Sequence, residues 1–101
     1  MSADIKADVE IIIRLLRQKH IHDQMSPELF QQQVLSIPSF AGLIDVTLAN
    51  ALANSKGLAQ RLVANCNLYL SGFADFEEIF DGIEANTYTG EALVFGEGLG
   101  T

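Results

Sequence analysis

Residues 4–20 read DIKADVEIIIRLLRQKH, and within them Ile5, Val9, Ile12, Ile13 and Leu16 recur at the three-and-four spacing of one helix face. Lys6, Glu10, Arg14 and Arg17 fall elsewhere around the same wheel, so an amphipathic helix with one buried stripe is expected. Its first turns carry Asp4 and Asp8 and its end carries Arg17, Lys19, His20 and His22, an order that complements the helix dipole.

Outward from that helix the chain keeps a helical rhythm. Ser26, Pro27 and Glu28 form a start signal: a side-chain cap, a residue suited to the first helical position, and an acid at the positive pole. A short second helix should run from there to about Leu35. Pro38 pushes Ile37 out of the helical region, so the chain must turn and restart. Phe40 to Ala53 is then expected as a third, central helix, with Leu43, Ile44, Val46, Leu48 and Leu52 spread among small residues. Asn54 to Gly57 break it, and Leu58, Leu62, Cys66, Tyr69 and Leu70 make the stripe of a fourth helix that Gly72 closes in the left-handed conformation.

Asp75 with Glu78 three residues later resembles a capping box, and Phe73 is placed for a hydrophobic staple. The spacing of Phe76, Ile79, Phe80 and Ile83 predicts a fifth helix with Glu77, Glu78, Asp81 and Glu84 around the rest of its circumference. From Asn86 onward the character changes: Gly90, Gly96, Gly98 and Gly100 surround the apolar run Ala92 to Phe95. The expected architecture is therefore all-α, a small bundle of four to five helices over residues 1–87. An irregular Gly-rich tail over residues 88–101 should dock on its own domain or on a neighbour.

Composition narrows the class. A chain of 101 residues that is 49% hydrophobic makes one domain and can bury a core without metal or disulfide staples. Cys66 stands alone, which excludes an internal disulfide and suits a reducing compartment. The opening MSADIKADVE lacks the basic start and apolar run of a signal peptide, so a cytoplasmic protein is expected. Residues 34–53 are the most apolar stretch, yet Pro38, Asp45 and Asn50 interrupt it, and no membrane span is expected.

Charge is distributed unevenly. Up to Arg61 six acids (Asp4, Asp8, Glu10, Asp23, Glu28, Asp45) balance six bases (Lys6, Arg14, Arg17, Lys19, Lys56, Arg61). Beyond Arg61 there is no Lys or Arg, while Asp75, Glu77, Glu78, Asp81, Glu84, Glu91 and Glu97 carry the whole net charge of -7. A neutral body with a negative pole repels nucleic acid, so direct DNA or RNA binding is not expected. The asymmetry speaks instead to what that end of the chain meets.

Each chemically suggestive residue has a plainer reading. His20, His22 and Asp23 lack the i, i+4 spacing and the further ligands of a metal site, and fit a solvated helix end. Cys66 sits in an apolar stripe and has no motif tying it to a His, as a small core hydrophobe would. Asp81–Gly82 fails as a calcium loop because Ile83 and Ala85 occupy ligand positions. The tail glycines lack the Lys and the following helix of a phosphate loop. Neither a catalytic residue nor a cofactor is expected.

Three functions compete. The first is a non-enzymatic interaction module, a subunit or assembly factor of a homo-oligomer or larger particle. Its partner-binding residues would be Phe76, Glu77, Glu78, Phe80, Asp81, Glu84, Tyr88, Glu91, Leu93 and Phe95, aromatic and aliphatic anchors among carboxylates that steer a basic partner. The cluster Arg14, Arg17, Lys19 and His20 would serve such an acidic segment as counter-surface, in the same chain or in an adjacent copy. The second is a small acidic inhibitor that occupies the basic groove of a nucleic-acid enzyme. The third is a helical bundle holding a small ligand between its third and fourth helices, near Asn65, Asn67 or Tyr69.

Overall fold

A computed structural model of the chain describes residues 4–84. It is an all-α bundle of four helices: α1 (Ile5–His20), α2 (Pro27–Leu35), α3 (Val46–Asn54) and α4 (Lys56–Leu70). Two single-turn 3-10 segments, Pro38–Phe40 and Phe76–Phe80, complete the described part. The expected tail over residues 88–101, with Tyr88, Glu91, Leu93 and Phe95, lies outside the described residues.

Side-chain caps set the helix starts. Asp4 accepts from Ala7 N–H at α1, and Ser26 Oγ accepts from Leu29 N–H at 3.1 Å with Pro27 as the first residue of α2. Between α3 and α4 the helix breaks at one residue. Ser55 is extended, donates its N–H to Ala51 O at the end of α3, and accepts from Leu58 N–H through Oγ at 3.1 Å to begin α4. Gly72, at φ +85, ends α4 as its sequence position predicts.

Packing follows from the apolar stripes. Val9, Ile12, Ile13, Leu15 and Leu16 of α1 are buried mainly against α4, which contributes Leu58, Ala59, Leu62 and Cys66. α2 buries Phe30 and Val34 largely against α3. Phe40 closes the core from the first 3-10 turn. That turn is tied to α1 by Asp8, whose Oδ2 accepts both from Ser39 Oγ at 2.6 Å and from Ser39 N–H at 3.1 Å.

Two expected helices take other forms. The third does not run from Phe40 to Ala53; after the 3-10 turn the chain loops through Gly42 at φ +82 and restarts at Val46. Asp45 explains the late start, since its Oδ1 accepts from Leu48 N–H at 2.8 Å and caps α3. The fifth helix is only the 3-10 turn Phe76–Phe80. The Glu78 carboxylate does reach back to Asp75 N–H at 2.6 Å, as a capping box requires, but the segment ends at Asp81, before Gly82 at φ +76. Arg61 covers this bend, with Nη2 placed 3.1 Å from where a Cβ on Gly82 would stand. Phe73 is no staple either, being 81% exposed.

Candidate functional site

The 3-10 turn Phe76–Phe80 is held face-down on the bundle. Ile79 and Ile83 are buried, and Phe76 stacks on Phe40 with ring centroids 5.7 Å apart while Phe80 meets Phe40 edge-on at the same separation. Tyr69 of α4 adds an edge contact to Phe76 at 5.9 Å. Asn65 on α4 fixes the backbone: its Nδ2 donates to Ile79 O at 2.9 Å and to Asp81 O at 3.1 Å. A side chain proposed from sequence as a ligand contact is thus a clamp for the acidic segment.

This anchoring sorts the sequence-predicted contact residues. Phe76 and Phe80 spend part of their surface on the protein's own core. Glu77, Glu78, Asp81 and Glu84 are all exposed, together with Asp75, so the turn presents carboxylates outward and apolar groups inward. Tyr88, Glu91, Leu93 and Phe95 fall outside the described residues.

Sequence reasoning missed the apolar part of this surface. Phe73 is 81% exposed and Leu68 48% exposed, and the two are joined by the hydrogen bond from Phe73 N–H to Leu68 O at 2.9 Å. Leu68 lies off the Leu58–Leu62–Cys66 stripe of α4, which was a legible sign that it faces away from the core. Phe73 gave a sign as well, one residue after the helix-ending Gly72 and outside the stripe that begins at Phe76. The result is two exposed apolar side chains at the end of α4, immediately before the acidic turn in the chain.

The opposite end of α4 is different. There Leu16, Ile21, Ala59 and Val63 wall a groove of about 300 Å³, with Arg17 and Lys56 at its rim and Gln60 in its lining. A second, more polar hollow of about 460 Å³ follows along α1, between Arg14, Arg17, His22 and Gln24. The basic cluster expected from sequence is therefore rearranged: Lys56 joins it from α4, and His20 turns inward. His20 Nε2 donates to Leu52 O at 2.6 Å and its ring stands edge-on to Phe30, so it is half-buried structure rather than a solvated helix end. Burial lowers its pKa below 6.5; the bond to Leu52 O opposes this, and Lys19 and Lys56 reinforce it.

Cys66 is buried as its stripe predicts, and desolvation pushes its thiol up to about 12. Among the described residues no group of three His, Cys, Asp or Glu side chains is arranged to hold a metal ion, and no helix is long and apolar enough to cross a membrane. Compared with protein-family models, curated proteins and solved structures, the chain matches none.

Proposed function

We propose that the chain is a non-enzymatic protein–protein interaction module, a subunit or assembly factor of a homo-oligomer or larger particle that makes contact through its acidic C-terminal region. The observation that carries this reading is the exposure of Phe73 and Leu68 at the end of α4, followed directly along the chain by the exposed acidic residues Asp75, Glu77, Glu78 and Asp81. An aromatic anchor within a charged surround is the composition of a contact surface, since the anchor contributes affinity and the charges contribute encounter rate and register. Phe76, Ile79, Phe80 and Asn65 hold the segment rigid beneath it, which lowers the ordering cost of association. Two side chains that could carry nucleophile or base chemistry are occupied otherwise: the Cys66 thiol is buried and His20 donates to Leu52 O. The partner this reading favours is another copy of the chain or a basic protein in the cytoplasm.

Neutralising the described acids tests it. The variant Glu77→Gln/Glu78→Gln/Asp81→Asn changes exposed positions and leaves an amide oxygen at position 78 to accept from Asp75 N–H, so it should stay helical by circular dichroism. It should associate more weakly and with less dependence on salt than the natural chain when mass is followed against concentration. Equal association, with equal salt dependence, would remove the acidic surface from the contact.

A further inference from the structure

The groove walled by Leu16, Ile21, Ala59 and Val63 is an apolar hollow with a cationic rim, and the Phe73–Leu68 surface is an apolar projection with an anionic surround. The two are complementary in shape class and in charge. We propose that Phe73 of one copy inserts into this groove on a second copy, with Arg17 and Lys56 of the receiving copy facing Asp75, Glu77 and Glu78 of the incoming one. The inference rests on the interaction reading above and names the surface that the acidic region meets.

Position makes the contact intermolecular. The groove takes its α4 wall from Lys56, Ala59, Gln60 and Val63, in the first half of a helix of 15 residues, while Phe73 lies past the far end at Leu70. At about 1.5 Å of rise per residue the middle of that wall is roughly 15 Å from the end of the helix, too far for a phenylalanine side chain to fold back. The same separation puts donor and acceptor surfaces at opposite poles of one chain. Two copies either use the contact twice across a two-fold axis or pass it on from copy to copy around a ring.

Gln60 lies in the lining of the groove. Its Oε1 is buried and has no hydrogen-bond partner among the described residues. A buried acceptor left unmet is costly. The apolar wall is also incomplete from within, since Ile21, just past the end of α1, remains 63% exposed.

Complementation between two damaged copies tests the proposal. Phe73→Ser removes the projection and Ile21→Glu places a charge in the groove, both at exposed positions where the fold tolerates change. Each variant alone should lose association by on the order of 30-fold or more, the scale of a buried aromatic anchor. Mixed in equal amounts they retain one intact projection and one intact groove, and sedimentation velocity should show a dimer that neither forms alone. Lys56→Glu provides a second groove variant that favours the start of α4, so its loss of association cannot be attributed to unfolding.

Association that survives Phe73→Ser, or variants that fail to complement, would overturn the groove contact while leaving the acidic-surface reading in place. That reading fails separately, through unchanged association of Glu77→Gln/Glu78→Gln/Asp81→Asn. A natural chain that stays a protomer while Lys56→Glu shifts the nuclear magnetic resonances of residues 85–101 would overturn the proposal and assign the groove to the chain's own C-terminal segment.

Discussion

At the scale of single residues, two side chains that look reactive in the sequence, Cys66 and His20, are put to structural use by the fold. Cys66 lies in the wall between α1 and α4, and its thiol, pushed up to about 12, is almost entirely protonated at neutral pH. Iodoacetamide at pH 8 should therefore leave it unmodified in the native chain and alkylate it once denaturant is added, as mass spectrometry would read; rapid native alkylation would contradict its burial. His20 has the opposite sign of consequence. Its folded pKa is lowered from 6.5, so the unfolded chain binds the proton more readily and stability must fall as pH drops below about 6.5 toward the folded value. Urea melts between pH 7.5 and 5 should show that loss, and His20→Gln should flatten this contribution to the profile. A profile unchanged by His20→Gln would show that other groups govern acid sensitivity. The role of Cys66 was legible in its apolar stripe, whereas that of His20 was not: the sequence places it at a basic helix end, but the Leu52 carbonyl that captures it is 32 residues away.

At the scale of elements, the stripes of α1, α2 and α4, the Ser26 cap of α2 and the Gly72 stop of α4 were readable from local pattern, whereas the expected break from Asn54 to Gly57 hid Ser55 as the cap that starts α4 at Lys56. The stretch from Phe40 to Ala53 misleads because its apolar residues fit a helix wheel even though Gly42 and Asp45 divide it. Asp45 is the decisive residue, being both an interruption of the apolar run and a cap, and only the cap is used. The acidic segment misleads for a related reason. Its stripe of Phe76, Ile79, Phe80 and Ile83 is real and packs inward, but one 3-10 turn followed by the Gly82 bend suffices to bury it. What then holds the turn is tertiary, the two bonds from Asn65 to Ile79 O and Asp81 O. Asn65→Ala should cost about 1–2 kcal/mol in a chemical melt. It should also speed amide hydrogen exchange around Asp81 and Ile83 while leaving α1 protected. Exchange that accelerates equally across α1 would mean that the clamp supports the whole core instead of the acidic segment.

For the whole molecule, the bundle is a polar object in the electrical sense. An apolar projection with carboxylates stands beyond one end of α4, and an apolar groove with Arg17 and Lys56 flanks the other. The negative pole was legible from charge counts alone, and so was part of the positive one. The apolar components were not, because Phe73 fits the staple position before a capping box and the groove exists only where α1 and α4 meet. The proposed contact between the poles should weaken as salt screens the carboxylates from the cations, over a Debye length that shrinks from about 30 Å at 0.01 M to about 3 Å at 1 M. The experiment to perform first is the absolute mass of the full chain by light scattering, across a range of concentrations at low and at high salt. A discrete multiple of the 11.0 kDa protomer at low salt, falling toward the protomer at high salt, is the expected result. A protomer at every concentration and both salts would contradict self-assembly, and the acidic surface would then have to meet a different, basic protein.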